Sequence, residues 1–283
     1  MTWFLDLRAD SVGGIPASEV IVRQGYGHYP NFDELVRQAR GHDVLFATHG
    51  FNVNRNDGIE SLTGWERLLE LGPNTLFVGV LWPGDSRWVP VLDYPFEDSE
   101  AITSAGLLAA FVDRHFGAAT SLSFVSHSLG ARVILETITQ MKLPVTQAIL
   151  MAGAINDNCL NTQYKATAGK LKTLSILASL EDHVLAVAFP LGNPLAGVVD
   201  KGHPYWQGAL GRDGPDLPCP DNVDPHWEIP NEWKYDHSDY LGGIPPKLLA
   251  AVDLPPARTF RLQSKPAWSA GFVSYRFRKG LGR

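Results

Sequence analysis

The stretch Ser126-His127-Ser128-Leu129-Gly130 sets a hydroxyl between two kinds of apolar spacing. Before it, Ser121 to Val125 carries Leu122, Phe124 and Val125 and reads as a short strand. After it, Val133, Ile134, Ile138 and Met141 recur at helical intervals over Ala131 to Met141. Ser128 thus stands at a strand-to-helix turn, flanked by the small residues Ser126 and Gly130, where a Cβ branch would collide with the neighbouring strand or helix. Such a serine offers nucleophilic attack, provided that a base lies within hydrogen-bond reach. The plain alternative is a serine N-cap without chemistry. A second stretch, His49-Gly50-Phe51-Asn52-Val53, closes the apolar run Asp43 to Thr48, which reads as a central parallel strand buried on both faces. A glycine there lets a backbone amide approach a substrate carbonyl and hold a developing oxyanion. An ordinary glycine turn, with His49 as a structural histidine, is the alternative.

Taken together, with the His49 stretch upstream of the elbow, the two stretches resemble the α/β-hydrolases. The elbow of that family reads G-x-S-x-G, and its lipases and esterases carry His-Gly and a bulky residue in the oxyanion loop. Ser126, in place of the first glycine, is the departure. The resemblance implies an α/β-hydrolase fold, with a mostly parallel central sheet and helices on both faces. It also implies Oγ of Ser128 exposed at the carboxyl edge of the sheet, with the amides of Phe51 and Leu129 as the two oxyanion donors.

The family's chain order of serine, acid and histidine guides the remaining residues. Asp182 follows the strand Leu171 to Ala178, where the acid usually stands. Asp157, after the strand Thr146 to Ala152, is a position some lipases use, and Glu181 adjoins Asp182; both stay open as rivals. His237 lies in a loop directly before an expected last helix, Gly242 to Val252, where the family carries its base. His183, His203 and His226 are also downstream of Ser128, but His183 is too close to the acid, and no helix directly follows the other two. The implied reaction is hydrolysis of a small carboxylic ester through an acyl-enzyme, requiring no metal and no organic cofactor. A serine at the elbow argues against dehalogenases and epoxide hydrolases, which place an aspartate there. Thioesterase, amide or carbon-carbon hydrolysis and a non-catalytic hydrolase-fold binding module are the alternatives.

The elements that would position these groups follow from patterning. Trp3 to Arg8 alternates and reads as an edge strand, and Glu19 to Arg23 as a second strand. Phe32 to Arg40 reads as a helix capped by Asn31, with Glu34 as its capping-box acid. Gly58 to Leu71 is a further helix, and Asn74 to Trp82 a buried strand. Trp82 and Trp88 would then lie at the carboxyl edge, either lining an acyl or leaving-group pocket or serving as core. Asp98 or Ser99 caps a helix running to His115. Residues 186–235 are dense in proline and tryptophan, and read as an irregular, cap-like excursion over the site within a single domain spanning 1–283. Leu254 to Arg283 reads as a solvated tail laid along that domain.

A chain of 283 residues with a net charge of −6 suits one large domain and argues against nucleic acid or anionic membranes as partners. Cys159 and Cys219 are far apart and read as free thiols of a reducing cytosol. The start Met1-Thr2-Trp3-Phe4-Leu5 lacks a secretion pattern, and no apolar run reaches the length of a membrane span. The expectation is a cytoplasmic protein without a transmembrane segment.

Overall fold

A computed structural model of the chain describes residues 1–12, 15–29, 31–85, 97–187, 208–224, 227–241 and 264–282. The strands are β1 (Trp3–Arg8), β2 (Pro16–Gln24), β3 (Gly27–His28), β4 (Asp43–Thr48), β5 (Thr75–Leu81), β6 (Ser121–His127), β7 (Gln147–Met151), β8 (Thr173–Ala178) and β9 (Trp227–Glu228). They form one sheet in the order β3-β2-β1-β5-β4-β6-β7-β8-β9. The pairs within β1 to β3 are antiparallel, and every other neighbouring pair is parallel. Every residue of β4 and β7 is buried, as an apolar strand in a sheet covered on both faces requires.

The covers are α1 (Asp33–Ala39), α2 (Arg55–Glu66), α3 (Glu97–His115), α4 (Gly130–Gln140) and a C-terminal helix, Lys265–Gly280. α3 and α4 pack on each other and meet β1, β2, β4 and β6, whereas α2 and the C-terminal helix meet each other and contact β5 and β7. Register then builds the site. Thr48 stands opposite both Val80 and Ser126, and Ser126 opposite Leu150. The central strands therefore end level, and the loops after them converge at the carboxyl edge.

Trp3–Arg8 is not the edge strand its alternation suggests. β1 lies between β2 and β5 with all six residues buried. Its polar positions are ion-paired inside: Asp6 Oδ2 accepts from Arg23 Nε at 2.6 Å and Arg55 Nε at 2.7 Å, and Arg8 pairs with Asp85. Nor is the C-terminal stretch a solvated tail. Ser264 caps the helix Lys265–Gly280, and Trp268, Phe272, Val273 and Phe277 are buried along it.

Two helix starts also differ from the patterning. Asn54 caps α2, accepting from the Asp57 amide at 3.0 Å, and the helix ends at Glu66. Gly58 is therefore interior, and a Cβ on it would stand 2.9 Å from Leu81 Cδ2. At α1 the N-cap is Phe32; Asn31 accepts from the Asp33 amide, and Glu34 pairs with Arg37 and Gln38 instead of closing a capping box.

Within the proline-rich stretch, a short helix at Leu210–Asp213 lays Gly211 against the backbone of Ala152 and Gly153, with no room for a side chain. β9 then extends the sheet beside Leu177 and Ala178. Trp88, His203, His226 and the expected helix over 242–252 lie outside the described residues. Cys159 and Cys219 are free thiols. No helix among the described residues is long and apolar enough to cross a membrane.

Candidate active site

β6 enters the elbow, α4 leaves it, and Ser128 between them has φ +55°, a left-handed conformation that a residue with a side chain adopts only under constraint. The constraint is visible. The Ser128 amide donates to Met151 O at 3.0 Å, while its carbonyl accepts from Ala131 at 3.0 Å and Ala154 at 3.2 Å. Gly130 has no room for a side chain, because a Cβ would lie 2.5 Å from the His49 carbonyl oxygen and 2.7 Å from Thr48 Cγ2. Ser126 fits at the other flank and is itself buried.

His237 opens a 3-10 turn, His237–Asp239, locked by a capping box. Asp236 Oδ1 accepts from the His237 amide at 2.8 Å, and Asp239 Oδ2 accepts from the Asp236 amide at 2.8 Å. Lys265 Nζ, from the C-terminal helix, donates to the same Asp239 oxygen at 2.6 Å. Ser179, at the exit of β8, donates to Tyr235 O at 2.6 Å and ties the strand that precedes Asp182 to this loop. The result is one hydrogen-bonded chain: His237 Nε2 is 2.7 Å from Ser128 Oγ, and His237 Nδ1 is 2.7 Å from Asp182 Oδ2. A carboxylate only accepts, so Nδ1 carries the proton and Nε2 offers its lone pair to the serine hydroxyl. Asp182 is fully buried, and its other oxygen accepts from the Leu185 amide at 2.8 Å.

Among the alternatives, Asp157 and His183 have partners of their own. Asp157 Oδ2 accepts from the Gly208 amide at 2.9 Å, and burial together with Asp216 raises its pKa. The Glu181 amide donates to Ser179 Oγ, and exposed His183 has its Nδ1 3.7 Å from Asp236 Oδ2.

The loop over residues 49–53 lies against the elbow. A Cβ on Gly50 would stand 2.8 Å from Ser128 Cβ and 3.3 Å from its Oγ. Burial lowers the His49 pKa to about 4, so the ring is neutral; its Nδ1–H donates to Gly50 O at 2.8 Å. In a planar trans peptide the Phe51 N–H points opposite to that carbonyl, so this bond turns the amide away from His49. Among the described residues, the amides of Phe51 and Leu129 donate to no other backbone group.

Trp82, read from the sequence as a pocket wall or core, is fully buried. It donates its indole N–H to His49 O at 2.9 Å and stacks on the His49 ring at 6.0 Å. It supports the loop from behind, because the chain turns inward at Pro83-Gly84 and packs Gly84 on the indole.

Two residues escape sequence reasoning. Buried Arg8 donates to Val53 O and Trp82 O, both at 2.9 Å, and pairs with Asp85, so it clamps the loops after β4 and β5. Its signal was a second charge, after Asp6, in a strand whose other residues are apolar. His127, the residue before Ser128, reaches His237 O with Nε2 at 2.7 Å.

The parallel sheet, the strained serine turn and the loops at its carboxyl edge define an α/β hydrolase. Residues 28–204 match the family described as "Alpha/beta hydrolase of unknown function (DUF900)", and the chain belongs to that family. Among solved structures, it is similar to a carboxylesterase from Mesorhizobium loti at 16% identity, covering 86% of this chain and 92% of that one with a TM-score of 0.42. It is also similar to esterase PE8, at 16% identity, 85% and 93% coverage and a TM-score of 0.44. An acetyl xylan esterase gives 10% identity, 86% and 97% coverage and a TM-score of 0.41. No curated protein matches the chain.

Proposed function

We propose that this protein is a serine hydrolase that cleaves small carboxylic esters through an acyl-enzyme. The observation that carries the reading is the chain Ser128 Oγ to His237 Nε2 and His237 Nδ1 to Asp182 Oδ2, both links at 2.7 Å. In this reading His237 takes the proton of Ser128 as Oγ attacks the ester carbonyl. The Phe51 and Leu129 amides hold the tetrahedral oxyanion, and Asp182 stabilises the imidazolium. Collapse expels the alcohol, which receives the proton from His237. Water activated by the same histidine then attacks the acyl-serine, and the acid leaves as the serine regains its hydrogen.

The proposal also takes residues 186–235 as a cap-like insertion within one domain, and the protein as cytoplasmic. Short p-nitrophenyl esters test the activity. Turnover that disappears in Ser128→Ala is the expected result, whereas no turnover of any acyl ester by the wild type would leave a binding module in its place.

A further inference from the structure

We propose that His127 is a positioning residue for the base: its Nε2–H donates to the His237 carbonyl and fastens the loop of the histidine to the elbow of the serine. This inference rests on the reading of Ser128, His237 and Asp182 given above. The bond is 2.7 Å, and a carbonyl only accepts, so Nε2 is the protonated nitrogen. The two imidazoles lie 4.8 Å apart, and the His127 ring also meets Tyr240 at 5.6 Å. On its other side, a Cβ added to Gly50 would stand 3.1 Å from His127 Nδ1. One ring thus touches the base's loop and the oxyanion loop, while its backbone precedes the nucleophile.

The His237 turn is fixed from the opposite side by its own amide, which donates to Asp236 Oδ1. With amide and carbonyl both held, the imidazole of His237 is left to rotate only about its side-chain torsions, which the bond to Asp182 then sets. Burial first, and the neighbouring His237 second, lower the His127 pKa to about 3. The ring beside the base therefore stays uncharged and does not oppose the imidazolium that forms during turnover.

The test compares His127→Ala with His127→Gln in the full chain. Glutamine can place its amide nitrogen close to the position of imidazole Nε2 and keeps the donor, whereas alanine removes it. Three readouts apply: the rate at which a fluorophosphonate labels Ser128, the kcat and KM for p-nitrophenyl acetate, and the downfield proton resonance of the His237–Asp182 hydrogen bond. The expected result is a fall of about 10- to 100-fold in labelling rate and kcat for alanine, with KM little changed and the downfield resonance lost. Glutamine should restore labelling, kcat and the resonance to near wild type. If alanine does not fold, His127→Leu, which keeps bulk without a donor, makes the same comparison. Unchanged labelling in the alanine or leucine variant, or an equal loss in glutamine with the fold intact, overturns the proposal. Failure of the wild type itself to label at Ser128 overturns the hydrolase reading, and this one with it.

Discussion

The α-carbon of Gly130 faces the carbonyl oxygen of His49 so closely that a Cβ there would lie 2.5 Å from it. The turn that carries Ser128 and the loop that follows β4 are therefore in backbone contact, and neither moves alone. Gly130→Ala forces them apart. The expected cost is about 1–3 kcal/mol of stability, as for other overpacked cores. Ester turnover should fall as well, because the Leu129 amide precedes the displaced residue. Urea unfolding and p-nitrophenyl ester kinetics read both; an alanine variant as stable and as active as wild type would show that the contact relaxes freely.

Ser128 pays for its place with a positive φ, so stability and activity should part company there. Removing the hydroxyl in Ser128→Ala is expected to cost on the order of 10³-fold or more in kcat while leaving the fold intact. Ser128→Gly removes the hydroxyl and also relieves a conformation that costs a side-chain-bearing residue about 1–2 kcal/mol. Glycine's extra unfolded-state entropy takes back part of that gain. The glycine variant should therefore be inactive yet unfold at no lower urea concentration than wild type.

Asp182 and Asp157 separate by the same assay. Asp182→Asn leaves a buried amide beside His237 and favours the wrong imidazole tautomer, for an expected loss of about 10³- to 10⁴-fold in kcat. Asp157, whose carboxylate holds the Gly208 amide, should tolerate Asp157→Asn within a few-fold. A reversed order of effects would move the acid to the end of β7.

Stability should fall as the solution is acidified from neutral pH, because two buried rings refuse protons. His49 and His127 titrate near 4 and 3 in the folded chain, against an ordinary value of 6.5 once unfolded. The folded-state pKa values are depressed, so the full contribution is present above pH 6.5 and is lost as pH falls towards 3–4. Below about pH 6 each histidine contributes a slope of up to roughly 1.4 kcal/mol per pH unit. Urea unfolding at pH 7, 6 and 5 measures the slope, and His127→Gln should remove about half of the part due to the two rings. A flat profile over that range would mean that the rings meet water in the folded state.

What was legible in the sequence is what local chemistry decides. Apolar runs of strand length, Gly50, and the small flanks of Ser128 each satisfy a steric need within a few residues, so the elbow and the close approach of the loop after β4 can be read directly. Asp182 and His237 follow from the family's chain order of serine, acid and histidine, and the structure sets His237 2.7 Å from both Ser128 and Asp182. Asp6 and Arg8 misled because alternation looks the same whether polar side chains meet water or meet each other, and only tertiary pairing with Arg23, Arg55 and Asp85 tells the cases apart. Trp82 is core, one of the two readings its place at a strand end allows; what that local position does not show is the indole's bond to His49. The C-terminal helix was hidden because its buried residues answer to α2 and β7, far away in the chain.

That same helix makes the last prediction. Lys265 is buried, and its ammonium donates to Asp239 Oδ2 at 2.6 Å and to Lys234 O at 2.5 Å, bracketing the turn that carries His237. Lys265→Met would leave Asp239 buried without its cation, although the Asp236 amide still donates to it. Breaking one side of such a pair costs about 3–5 kcal/mol when the other charge stays buried, and the partial exposure of both side chains here places the expected loss near the lower end. Adding Asp239→Asn should recover much of it, since a neutral amide needs no counter-charge. The double variant would then be stable with the turn less firmly held, so its kcat should remain below wild type at near-normal KM. Full recovery of kcat would show that the capping box alone holds His237, with the helix contributing only stability.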